Sequence, residues 1–107
     1  MEIMQLCENC SSLCVGETFK LSGNRAGLGP MPIQIYSPNK QPFVGTVQLE
    51  GTIADEIEIN NNTVKWTILS GAIWTIETID AVFVQVTHIR VNISEYISGS
   101  ISVRLGY

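Results

Sequence analysis

From Pro32 onward the chain is written in short runs of β-branched residues separated by turn-forming clusters, with no convincing helical stretch between them. That pattern constrains the fold more than any other feature of the sequence. The chain holds 14 Ile and 9 Val against 7 Leu, with 8 Thr besides. Branching at Cβ restricts χ1 in a way that suits a pleated surface better than a helix. The runs fall at residues 33–36, 43–52, 53–59, 64–69, 73–79, 82–86, 89–93 and 101–105. Several alternate strictly: Val47 and Leu49 against Gln48 and Glu50, Ile89, Val91 and Ile93 against Arg90 and Asn92, and Ile101, Val103 and Leu105 against Ser102 and Arg104. Parallel strands need long crossovers, and there is no room for them here. The expectation is therefore an all-β, antiparallel β-sandwich or jelly-roll-like domain of seven to eight strands. Its core is expected to contain Val47, Leu49, Trp66, Ile68, Ile89, Val91, Ile101 and Val103, with Trp66 at the centre. Turns are expected at Asn60-Asn61-Asn62 and at Ser98-Gly99-Ser100, the latter closing a tight antiparallel hairpin between the last two strands.

Residues 1–30 read differently. They sustain neither a period of 2 nor one of 3.6, and Gly16, Gly23, Gly27 and Gly29-Pro30 punctuate the backbone too often for a long element. The expected organisation is an irregular, cysteine-bearing N-terminal arm over residues 1–30 followed by a sandwich domain over residues 31–107.

Length and charge narrow the function. With 107 residues the chain is one domain's worth, and its formal charge of −4 argues against a surface that tracks nucleic-acid phosphates. Only 15% of residues are charged while 45% are hydrophobic, which excludes ordinary disorder. No run approaches the length of a membrane-spanning helix, and the N-terminus lacks the basic start and apolar run of a signal peptide. No nucleic acid and no membrane are expected as partners.

The chemistry-bearing residues are few. Cys7, Cys10 and Cys14 form C-x2-C-x3-C. Structural zinc wants four ligands, and the only histidine, His88, lies far along the chain; a carboxylate such as Glu8 or a neighbouring molecule would have to complete the set. A disulfide leaves one thiol over, and an unmodified buried role for all three is the reading favoured by the burial habit of free cysteine. Glu50, Asp55, Glu56 and Glu58 read as a solvated strand face, since the calcium-loop pattern is absent. His88 beside Arg90 has no serine elbow or H-E-x-x-H motif to work with. No catalytic residue and no cofactor are expected, and the chain is read as a non-enzyme.

Apolar groups in places that a monomer would struggle to bury are the remaining handles. Met1, Met4, Leu6, Leu13, Met31 and Tyr107 are expected to contact another chain. If the protein instead binds a glycan, Trp74, Tyr36 and Tyr96 are the aromatic candidates on an outer face.

Four segments carry a resemblance: Gly45-Thr-Val-Gln-Leu-Glu-Gly51, Val64-Lys-Trp-Thr-Ile68, His88-Ile-Arg-Val-Asn-Ile-Ser-Glu-Tyr96 and Ser98-Gly-Ser-Ile-Ser-Val-Arg-Leu-Gly106. In order and spacing the set resembles small β-sandwich proteins of tailed-bacteriophage virions. The cysteine-bearing segment lies outside the likeness. The resemblance implies a virion structural component: a capsid decoration or cement protein that stabilises the head through subunit-bridging contacts, or, alternatively, a neck or tail protein or a carbohydrate-binding module of a tail or spike. It implies a homo-oligomer, guessed as a trimer, with the major capsid protein or other virion proteins as partners. The implied location is the virion, with assembly in the host cytoplasm. It brings no catalytic residues.

Overall fold

The computed structural model describes residues 3–21, 30–37, 42–53, 56–61, 63–84 and 86–106. Within them the elements are β1 (Ile3–Cys10), β2 (Cys14–Val15), β3 (Phe19–Lys20), β4 (Pro30–Tyr36), β5 (Val44–Thr52), α1 (Glu56–Asn60), β6 (Thr67–Trp74), β7 (Thr78–Phe83), β8 (His88–Ser98) and β9 (Ile101–Gly106). They form two antiparallel sheets. Sheet I has the order β1-β9-β4-β7; sheet II has the order β2-β8-β5-β6, with β3 also paired to β8. The protein is an all-β antiparallel sandwich.

Alternation sets the core. Val47 and Leu49 on β5 and Ile89, Val91 and Ile93 on β8 are buried, as are Ile33 and Ile35 on β4 and Ile101, Val103 and Leu105 on β9. Each such side chain contributes about 1.5–3 kcal/mol when fully buried. Because side chains on a strand have a period of two, burying one parity from each sheet presents the other parity to solvent.

Trp66 and Ile68 depart from the expected core. Trp66 is half-buried and lies ahead of β6, while Ile68 is 39% exposed. Register explains this: Ile68 sits opposite Glu50, an outward position, whereas Trp74 sits opposite the inward Val47. Between the pairs Ile68–Glu50 and Ile73–Gln48, β6 advances five positions while β5 advances only two. The resulting bulge contains Gly71 at φ 72°, and it switches the parity of β6 so that Ala72 and Trp74 face in. The central tryptophan of the core is thus Trp74.

Residues 53–59 also differ from expectation. Ile57 and Glu58 belong to the single helical turn α1, with the Asn61 N–H donating to the Ile57 carbonyl at 3.0 Å, and no strand forms among the described residues there. Ile57 is 69% exposed, so the alternation of Ile and Glu buries nothing that would hold a strand in a sheet.

The connection at Ser98-Gly99-Ser100 is not a hairpin. β8 belongs to sheet II and β9 to sheet I, so this segment carries the chain across the sandwich.

The N-terminal segment is part of the domain. β1 is an edge strand of sheet I along β9, and after a turn the chain crosses to sheet II, where β2 and β3 pair with β8. The weak period of β1 has a local cause: two register shifts against β9, between Gln5 and Cys7 and between Cys7 and Cys10. Two bulges put Leu6 and Cys7, adjacent in sequence, both out of solvent. The boundary expected at residue 30 therefore does not separate an arm from a sandwich.

Candidate interaction surface

The outer face of sheet I is built by the residues that alternate with its core. On β7 these are Ile79 and Phe83, 71% and 65% exposed, with Ala81 between them. Cross-strand register places Phe83 opposite Pro30, Ala81 opposite Pro32 and Ile79 opposite Gln34. On the far side Ile3, 63% exposed, lies opposite Gly106, and Gln5 lies opposite Arg104. One row across the sheet therefore reads Gln5, Arg104, Gln34, Ile79. Below it the surface is apolar. An open groove of about 210 Å³ runs here, lined among others by Ile3, Pro32, Gln34, Ile79 and Arg104.

Arg104 is the charge of that groove. Its Nε donates to Gln34 Oε1 at 2.7 Å, and its guanidinium carbon stands 4.8 Å from the centroid of the Tyr36 ring. Among the described residues no carboxylate pairs with it.

The outer face of sheet II is mixed: Val15, Ile68 and Ile73 are exposed on it around a polar centre. Arg90 Nε donates to Glu50 Oε1 at 2.8 Å, Asn92 Nδ2 donates to Glu50 Oε2 at 3.4 Å, and the Arg90 guanidinium carbon lies 4.3 Å from the centroid of Trp66. Glu50 is 9% exposed, so it does not belong to a solvated acidic face. Nor do Glu50 and Glu58 share a strand face, since Glu50 lies on β5 and Glu58 on α1; Asp55 lies outside the described residues.

The expected interface residues are dispersed. Leu6 and Met31 are buried in the core of this single chain, which corrects their assignment to a contact with another chain. Met4 is half-buried against that core, and Leu13 is 65% exposed. Met1 and Tyr107 lie outside the described residues. The exposed apolar residues of the sheet I face are instead Ile3, Ile79 and Phe83. A signal for two of them was present: the run Thr78-Ile-Asp-Ala-Val-Phe83 offers apolar residues of both parities, more than one sheet face can bury.

The aromatics considered for a glycan platform are engaged. Trp74 is buried and its indole N–H donates to Asp80 Oδ2 at 3.0 Å. The Tyr36 ring is covered by Arg104, and the Tyr96 ring packs at 6.2 Å from Phe43 while its hydroxyl donates to the Gly99 carbonyl at 2.9 Å. Asp80 also accepts the Ala81 backbone N–H at 2.8 Å. The indole N–H first, and the Ala81 N–H second, hold its carboxyl below the ordinary value of 3.8, against a smaller opposing effect of desolvation.

Cys7 and Cys10 are joined by a disulfide across the second bulge of β1, where Asn9 between them takes φ 50°. Cys14 is a free thiol, half-buried on β2, and burial raises it above its ordinary pKa. Among the described residues no three His, Cys, Asp or Glu side chains converge as metal ligands. His88 is buried, its Nδ1 2.9 Å from Thr87 Oγ1. Among the described residues no helix is long and apolar enough to cross a membrane. Against protein-family models, curated proteins and solved structures, the chain matches none.

Proposed function

We propose that this protein is a non-enzymatic structural component of a tailed-bacteriophage virion, a decoration or cement protein that bridges subunits of the capsid shell. The observation that carries the reading is the outer face of sheet I. It exposes Ile79, Phe83 and Ile3 together with Pro32 on a four-stranded sheet. Contiguous exposed apolar surface on a small domain commonly marks a protein contact. Repeated around a symmetric shell, modest contacts of this kind sum to strong retention.

The four segments that carry the resemblance map onto the inner strands β5, β8 and β9 and onto the entry to β6, at the end of sheet II. The major capsid protein is the partner this reading names, and self-association as a trimer on the shell is the oligomeric form it carries.

Electron microscopy of purified particles, with the copies of this chain counted, tests the proposal. Copies in the hundreds distributed over the head are expected. A handful at the neck or tail would favour the alternative position in the virion, and absence from particles would overturn the reading.

A further inference from the structure

Among the described residues, the groove of sheet I combines three features: an apolar floor and rim, one cation and no acid. Ile3, Pro32 and Ile79 supply the apolar part, and Arg104 supplies the charge. The guanidinium is held in place by Gln34 and by the Tyr36 ring, neither of which neutralises it. A fixed guanidinium presents its remaining N–H groups in a planar fork that matches a carboxylate. The chain as a whole carries a formal charge of −4, so this cationic spot stands against the prevailing sign of the molecule.

We propose that this groove receives an acidic, aliphatic segment of a partner virion protein. One carboxylate of the segment meets Arg104, and flanking Val, Ile or Leu side chains cover Ile3, Pro32 and Ile79. The inference rests on the structural reading above and deepens it by naming the chemistry of the partner.

A second copy of the same face is a poorer occupant on two counts. Arg104 lies on β9, an inner strand of the sheet, so two faces related by a two-fold axis would bring two guanidinium groups together with no acid among the described residues of either groove. Four strands about 4.8 Å apart and some six residues long, at about 3.3 Å each, give a footprint on the order of 400 Å². Doubled, that falls short of the roughly 1,200 Å² at which stable pairs begin. The face is sized for a contact repeated many times on an assembly.

The test uses the full chain, labelled with ¹⁵N, and two blocked peptides of a serine-flanked Val-Ile segment that differ only in a central Asp or Lys. Titration with the Asp peptide is expected to move the amide signals of Ile3, Gln34, Ile79 and Arg104. Its affinity should exceed that of the Lys peptide by about fivefold, the scale of a single partly exposed charge pair. Arg104→Glu should reverse the preference, and Arg104→Gln, which keeps the fold without charge reversal, should abolish it. Equal affinities, or signal changes confined to another surface, would overturn the proposal. So would a concentration-dependent dimer seen by sedimentation that shifts the same amides without peptide. Peptide preference in a protein absent from particles would leave the groove standing and sink the virion reading; presence in particles without the preference would do the reverse.

Discussion

Arg90 bridges Glu50 and Trp66 on the outer face of sheet II, with a 2.8 Å hydrogen bond to the carboxylate on one side and a guanidinium 4.3 Å from the indole centroid on the other. The side chains of Arg90 and Glu50 are only 23% and 12% exposed, so the pair is largely withdrawn from water. Removing one member of such a pair leaves a poorly solvated charge behind, which costs more than the pair itself contributes. Arg90→Met is therefore expected to destabilise the domain by about 2–4 kcal/mol. Trp66→Leu removes the ring contact but leaves the ion pair, and should cost only about 0.5–2 kcal/mol. Urea unfolding of the two variants and of their double mutant checks the order. Equal costs would mean that Trp66, and not the ion pair, holds this face.

Leu6 is 3% exposed on the edge strand β1, packed under sheet I with the rest of the core. Leu6→Ala should cost about 2–5 kcal/mol, the range for emptying a buried leucine site. Removal of residues 2–14 would strip β1 from β9 and expose that edge, so the shortened chain is expected to lose cooperative unfolding. A deletion that melts like the full chain would show that β1 is dispensable.

Much of the fold was legible because β5, β8 and β9 obey a strict period of two. Val47, Leu49, Ile89, Val91, Ile101 and Val103 are all at most 1% exposed, as that alternation requires. What the pattern could not carry were the places where parity breaks. The bulge around Gly71 reverses the inward face of β6, exchanging Trp66 and Ile68 for Ala72 and Trp74, and the two bulges of β1 disguise a strand as an irregular arm. Sheet membership was likewise hidden. Ser98-Gly99-Ser100 reads as a hairpin turn, yet the strands on either side belong to different sheets, a fact that depends on long-range pairing with β5 and β4. The exposed apolar face of sheet I escaped notice for a related reason. Ile79 and Phe83 look like core residues until the register with Gln34 and Pro30 shows that they face away from it. Arg104 and Gln34 are 70 positions apart, and only the pairing of β9 with β4 brings them together.

Asp80 links pH to stability. Its folded carboxyl titrates below the ordinary value of 3.8 because the Trp74 indole and the Ala81 N–H bond to the ionised form. A depressed carboxyl contributes stability that is fully present above the unfolded value and lost as pH falls through the folded one. The contribution is therefore expected to be intact at neutral pH and to disappear only below about pH 4. Thermal unfolding of the wild type and Asp80→Asn as a function of pH provides the check: the two curves should converge in acid. A gap that persists below that range would assign the effect to packing of the side chain, not its charge.

Gly99 is the position where a single methyl group should do most harm. It takes φ 82°, a conformation that side-chain-bearing residues adopt at a cost, at the crossing from sheet II to sheet I. A Cβ there would run into the carbonyl group of Pro42, with the Cα of Phe43 also inside normal contact distance. Both obstacles are backbone, so no rotamer change relieves them. Gly71 offers the matched control, since its φ of 72° carries the same conformational cost while nothing stands within 4 Å of its added Cβ. Gly71→Ala should therefore lose only about 1–2 kcal/mol. Gly99→Ala is expected to lose at least twice as much, because the collision displaces the chain that holds Phe43, a core residue, against Tyr96. Denaturant melts of the pair separate steric exclusion from backbone preference. Equal losses would show that the crossing can open to admit a side chain, and that the two sheets are coupled less rigidly there than the contact of Gly99 with Pro42 requires.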